Sequence, residues 1–185
     1  MQIIIRTTST SEQRGHPKTK LKPGIWVLLV TTLAGPCVKG QSQALDFNVP
    51  DELRECMAPL RHIYDFSSRI NPFYLRGDFD GDGKADYAVL ILSKPHHDDG
   101  IAICLSSLHK AEIIGAGVEF YKWKTKSFGD FDAWHVHPKS SVGRGVGEGP
   151  PPKLVGEAIL VEKAEAWSGL LYWDGNRFLW YQQGD

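Results

Sequence analysis

Apolar residues along the chain follow two spacings. Between Val49 and Tyr64 they recur at helical intervals, at Leu53, Met57, Leu60 and Tyr64. The run opens on Val49-Pro50-Asp51-Glu52, where proline suits a first helical turn and acids favour the positive end of the helix dipole. Pro59 lacks an N–H and crowds the preceding turn, so one kinked helix or two short ones are predicted. From Phe73 onward the apolar runs become short: Phe73–Leu75, Tyr87–Leu92, Ile101–Leu105, Val118–Trp123, Ala158–Val161, Leu170–Trp173 and Phe178–Tyr181. Runs of that length, separated by turn-rich segments, predict antiparallel strands.

The clearest local signal is Leu170 to Tyr181, two aromatic-rich runs joined through Asp174-Gly175, a dipeptide that supplies the positive φ of a tight hairpin. The stretch Gly143 to Pro152 is rich in glycine and proline and reads as a loop. No segment recurs at a fixed period, which argues against a propeller or solenoid built from this chain's own repeats. The expectation is one α+β domain, mainly antiparallel β-sheet with an N-terminal helix.

Ahead of that domain, Lys18 to Lys22 is basic and Gly24 to Gly35 is apolar, the pattern of a secretory leader. The apolar part is too short to span a bilayer, which takes about 20 residues. Ser42-Gln43-Ala44 places small side chains where signal peptidase requires them, so residues 1–44 are assigned to a leader and 45–185 to the domain. The segment before Lys18 is polar and longer than a usual leader start, so translation beginning internally is the alternative to a start at Met1. Export to the periplasm or the extracellular space is expected, with no membrane insertion once the leader is removed.

Charge changes with that division. Of the 21 Lys/Arg and 22 Asp/Glu in the chain, six bases and one acid fall in residues 1–44, leaving 15 bases against 21 acids, a formal charge of −6. Such a domain repels phosphate backbones and anionic lipid, which argues against nucleic-acid and membrane-surface partners and in favour of cations. Cys56 and Cys104 are the two cysteines outside the leader. In an oxidising compartment one disulfide is the economical reading, the alternative being two buried free thiols.

The candidate chemistry lies in Gly77-Asp78-Phe79-Asp80-Gly81-Asp82-Gly83-Lys84-Ala85-Asp86-Tyr87. Carboxylates at loop positions 1, 3, 5 and 9 can point at one centre, and calcium takes six to eight hard oxygen ligands from such a flexible cage. Asp78, Asp80, Asp82 and Asp86 supply side chains, and the Lys84 carbonyl a further oxygen. The competing reading is an acid-rich turn that binds nothing, since Asp and Gly are ordinary turn residues. An EF-hand needs a glutamate at position 12 and a helix on either side, but Val89 stands at that position and an apolar run follows. The segment instead resembles the calcium loop of FG-GAP repeats in integrin-like propellers, which joins two strands. The match lies at Asp78, Asp80, Asp82, Gly83 and Asp86 over about fifteen residues. That resemblance implies a calcium loop between strands, used here in a single copy.

Other clusters carry less. His135 and His137 alternate on one predicted strand, and His96-His97-Asp98-Asp99 offers further ligands in a loop, but nothing in the sequence brings the two together as a zinc or copper site. Trp123, Trp134, Trp167, Trp173 and Trp180 could form a glycan-stacking or partner-binding face, though a small β domain needs such side chains for its core. Lys122 to Lys126 is a short basic patch that reads as the solvated side of an edge strand rather than an anion site. Nucleophile-elbow, zinc-protease and phosphate-loop motifs are absent. The leading expectation is an exported, non-catalytic calcium-binding module with a protein or glycan partner. The alternative is a calcium-dependent periplasmic or extracellular hydrolase, with acids or histidines near the loop doing general acid–base work.

Overall fold

The protein is described by a computed structural model covering residues 45–120, 124–146 and 149–184. The leader assigned to residues 1–44 lies outside the described residues. The chain from Leu45 on opens with helix α1 (Asp51–Met57), which passes into a 3₁₀ turn (Ala58–Leu60). Pro59 sits within that turn's first positions, so the expected break falls where the missing N–H dictates. The helix thus lies some fifty residues into the chain, and it is shorter than the apolar spacing predicts: Tyr64 begins a strand instead.

Among the described residues nine strands follow: β1 (Tyr64–Phe66), β2 (Tyr74–Gly77), β3 (Asp86–Ser93), β4 (Asp99–Leu105), β5 (Lys110–Gly115), β6 (Ala133–His137), β7 (Ala158–Lys163), β8 (Trp167–Trp173) and β9 (Phe178–Gly184). All pairings between them are antiparallel. In the first sheet β3 pairs with β4 and β4 with β5, while β1 and β2 both pair with the other edge of β3. Phe66 faces Ile91 and Tyr74 faces Val89, so β1 and β2 are one strand interrupted by an excursion over residues 67–73. The second sheet is a meander in the order β6-β7-β8-β9.

The expected strand at Val118–Trp123 does not form over its described part. Val118 and Phe120 make isolated bridges to Gly115 and Thr125, a tight reversal anchored by the buried Phe120, and residues 121–123 lie outside the described residues. The basic patch Lys122–Lys126 is described only from Lys124 onward.

Burial explains why the first sheet reads as nearly continuous apolar sequence. Alternate residues leave a strand on opposite faces. Leu75, Ala88, Leu90, Ile101, Ile103 and Leu105 join Trp134, Ile159, Val161, Leu171, Trp173 and Trp180 of the second sheet in one core. Tyr87, Val89, Ile91, Ala102 and Cys104 face the other way and pack with Leu53 and Met57 of α1 in a second core. The layers are therefore helix, sheet, sheet. A disulfide joins Cys56 of α1 to Cys104 of β4, as the cysteine count suggested. Closing a loop over a separation of 48 residues contributes about 4 kcal/mol in the chain-entropy account.

The 67–73 excursion is held across the two sheets. The Trp134 indole N–H donates to the Pro72 carbonyl at 2.7 Å. The Arg69 guanidinium donates to the Phe131 carbonyl at 2.9 Å, lies 4.3 Å from the centre of the Phe131 ring and approaches Asp99 at 3.5 Å.

Candidate functional site

The acidic loop spans the turn from β2 into β3, and the register pair Gly77 with Asp86 closes its base. Its first residue is tied to the second sheet. The Asp78 N–H donates to Glu157 Oε2 at 2.8 Å, and the Glu157 N–H donates back to the Asp78 carbonyl at 2.6 Å. Backbones touch beside that pair: a Cβ on Gly156 would stand 2.4 Å from the Asp78 carbonyl oxygen. The segment just ahead of β7 therefore clamps the loop.

Asp86 is completely buried, with 0 % exposure, although it is charged and opens a strand. Its two oxygens are satisfied by the backbone: Oδ2 accepts from the Phe79 N–H at 2.9 Å, and Oδ1 from the Ser106 N–H at 2.8 Å. Burial pushes the Asp86 carboxyl above the usual aspartate range, and the nearby charge of Asp80 adds to this, against the opposing pull of the Ser106 and Phe79 amides. Phe79, also fully buried, pins the loop from beneath as part of the inter-sheet core.

The other acids fold the loop on itself. Asp78 accepts from the N–H groups of Gly81 at 2.8 Å and Gly83 at 3.1 Å, Asp80 from that of Asp82 at 3.1 Å, and Asp82 from that of Lys84 at 2.8 Å. The Ser107 hydroxyl donates to Asp80 Oδ2.

Of the residues expected to ligate, the fold brings together Asp78, Asp80 and Asp86, one carboxylate oxygen from each lying within 4.8 Å of the others. Two ligands on opposite sides of a calcium ion lie up to about 5 Å apart at bond lengths of 2.3–2.6 Å, so this donor set fits such an ion in chemistry and span. Asp82 stands outside the group, its Oδ2 lying 3.3 Å from the ammonium of Lys84. The Lys84 side chain is otherwise largely exposed. Glu157, Ser106 and Ser107 were missed in the sequence because their partners lie 79, 20 and 27 residues away. No local spacing could reveal them.

The histidine clusters remain apart from this loop. Among the described residues, Asp78, Asp80 and Asp86 form the one convergent group of three or more metal-ligating side chains. His135 approaches Glu162 at 3.7 Å on an exposed face of the second sheet, His137 contacts the Pro138 carbonyl, and His96 and His97 lie exposed in the β3–β4 turn. Trp134, Trp173 and Trp180 are buried and Trp167 is half-buried against Trp180, so the described tryptophans serve the core. Trp123 lies outside the described residues. Among the described residues no helix is long and apolar enough to cross a membrane. No protein-family model, curated protein or solved structure matches this chain.

Proposed function

We propose that this chain is an exported, non-catalytic module in which the Asp78–Asp86 loop binds one calcium ion, and that the ordered domain presents a surface to a protein or glycan partner. The convergence of Asp78, Asp80 and Asp86 carries the reading. Three carboxylates at that separation repel by roughly 1–3 kcal/mol per pair, between the limits for bulk water and a protein surface. A divalent cation converts that cost into attraction. The backbone N–H groups that hold each carboxylate fix its direction and leave lone pairs for an ion.

The FG-GAP resemblance supports calcium over other ions, and oxygen-only donors agree with it, since transition metals favour nitrogen and sulfur. The basic and apolar leader pattern and the Cys56–Cys104 disulfide are compatible with an exported protein. Asp78, Asp80 and Asp86 carry the ligand role by their convergence, and Asp82 and the Lys84 carbonyl complete the set by analogy with the repeat. Calcium at 100 times its dissociation constant would stabilise the fold by about 2.7 kcal/mol. Thermal unfolding of the full chain in calcium and in chelator is expected to differ by several degrees, and Asp80→Asn is expected to abolish the difference. Identical curves for the wild-type chain would refute the reading.

A further inference from the structure

A cleft of about 400 Å³ opens between α1 and the first sheet, next to the acidic loop but outside its ligand group. Its floor is apolar, made by Tyr87, Leu105 and the Cys56–Cys104 disulfide, all but Cys56 less than a tenth exposed. Its charged lining is acidic: Glu52 and Glu55, one helical turn apart on α1, are both exposed. His109 adds an exposed imidazole. Ser106, whose N–H is held by Asp86, also lines it.

The two glutamates lack a cationic partner among the described residues, and the bases that adjoin the lining residues Glu55, Ala85 and His109 in sequence are engaged elsewhere. Arg54 pairs with Asp51, Lys84 with Asp82 at 3.3 Å and Lys110 with Glu112 at 2.7 Å. A concave site of this volume lies in the range that holds a small ligand or an anchoring side chain. An apolar floor beneath free carboxylates complements a group with a hydrocarbon stem and a positive head, the amphipathic make-up of lysine.

We infer that this cleft receives a lysine side chain from a partner protein, its methylenes against Tyr87, Leu105 and the disulfide, its ammonium between Glu52 and Glu55. The inference gives the partner a chemistry and rests on the module reading only in that respect. The test is a titration of the isotope-labelled full chain with the peptide acetyl-Gly-Lys-Gly-amide, followed by amide chemical shifts, in calcium and in chelator. The expected result is saturable shifts at Glu52, Glu55, Tyr87, Leu105 and Ser106, absent with the norleucine analogue of the peptide. Glu52→Gln/Glu55→Gln, at exposed positions that leave both cores intact, is expected to weaken binding at least tenfold. Equal responses to the lysine and norleucine peptides, an unchanged affinity in the double variant, or no response in either medium would overturn it. Binding in both media would support the cleft even if the loop takes no calcium, so the two proposals fail separately.

Discussion

Single carboxylates do different work in this chain according to what surrounds them. Asp86 is one of two buried polar residues among those described, with Ser93, and its burial is tolerable because two backbone N–H groups reach it. Asp174, in the β8–β9 turn, is exposed, and its Oδ1 accepts from the N–H groups of Asn176 at 2.8 Å and Arg177 at 2.9 Å. The Arg177 amide, the largest influence, holds its carboxyl below the ordinary aspartate value; burial opposes it, and the Asn176 amide adds to the lowering. A depressed folded-state value means that the stabilisation is fully present above the ordinary aspartate value and is lost as pH falls through the depressed one. Asp174→Asn is therefore expected to flatten the acid limb of stability against pH below about 4, read by urea denaturation across that range. An unchanged acid limb would remove Asp174 from the account. The spacing of the loop acids was legible in the sequence because alternate loop residues determine it. The departure of Asp82 toward Lys84 was not, since both readings leave position 5 an aspartate.

The elements with strong local patterning were legible: α1 from its proline and first-turn acids, β3 and β4 from apolar runs, and the β8–β9 hairpin from Asp174-Gly175. Those missed were β1, whose first residue, Tyr64, continues the helical spacing, and β5, whose Lys110 and Glu112 place charges on an edge strand. Both are strands because a neighbour, β3 or β4, supplies hydrogen bonds and a buried face, a tertiary cause that overrides local preference. The loop element shows how local and tertiary demands combine. Gly81 and Gly83 both adopt positive φ, 80° and 83°, where an L-residue is strained. A Cβ on Gly81 would also stand 2.1 Å from the Val155 carbonyl oxygen, while one on Gly83 would meet nothing within 4 Å. Gly83→Ala is expected to cost about 1 kcal/mol and Gly81→Ala clearly more, at least about 2–3 kcal/mol, in chemical denaturation. Equal costs would show that the Val155–Glu157 segment does not clamp the loop.

At the scale of the molecule, the acidic loop occupies a junction. Asp78 meets Glu157 ahead of the second sheet, Asp86 reaches Ser106 at the end of β4, and Phe79 fills the core between the sheets. The disulfide pins α1 to the opposite face of the first sheet. This three-layer arrangement was not legible in the sequence beyond its α+β, mainly antiparallel character, because the division of the strands into two sheets depends on pairings between distant segments. The position of the loop gives its occupancy leverage over the whole domain: an ion there would relieve carboxylate repulsion at a point where both sheets are joined. The most direct test is a calorimetric titration of the full chain with calcium, beside Asp78→Asn and Asp80→Asn. Saturable binding near one equivalent in the wild-type chain, lost in both variants, is the predicted result. No saturable heat, or equal binding in the variants, would contradict the assignment and leave the segment an acidic turn held by its own backbone.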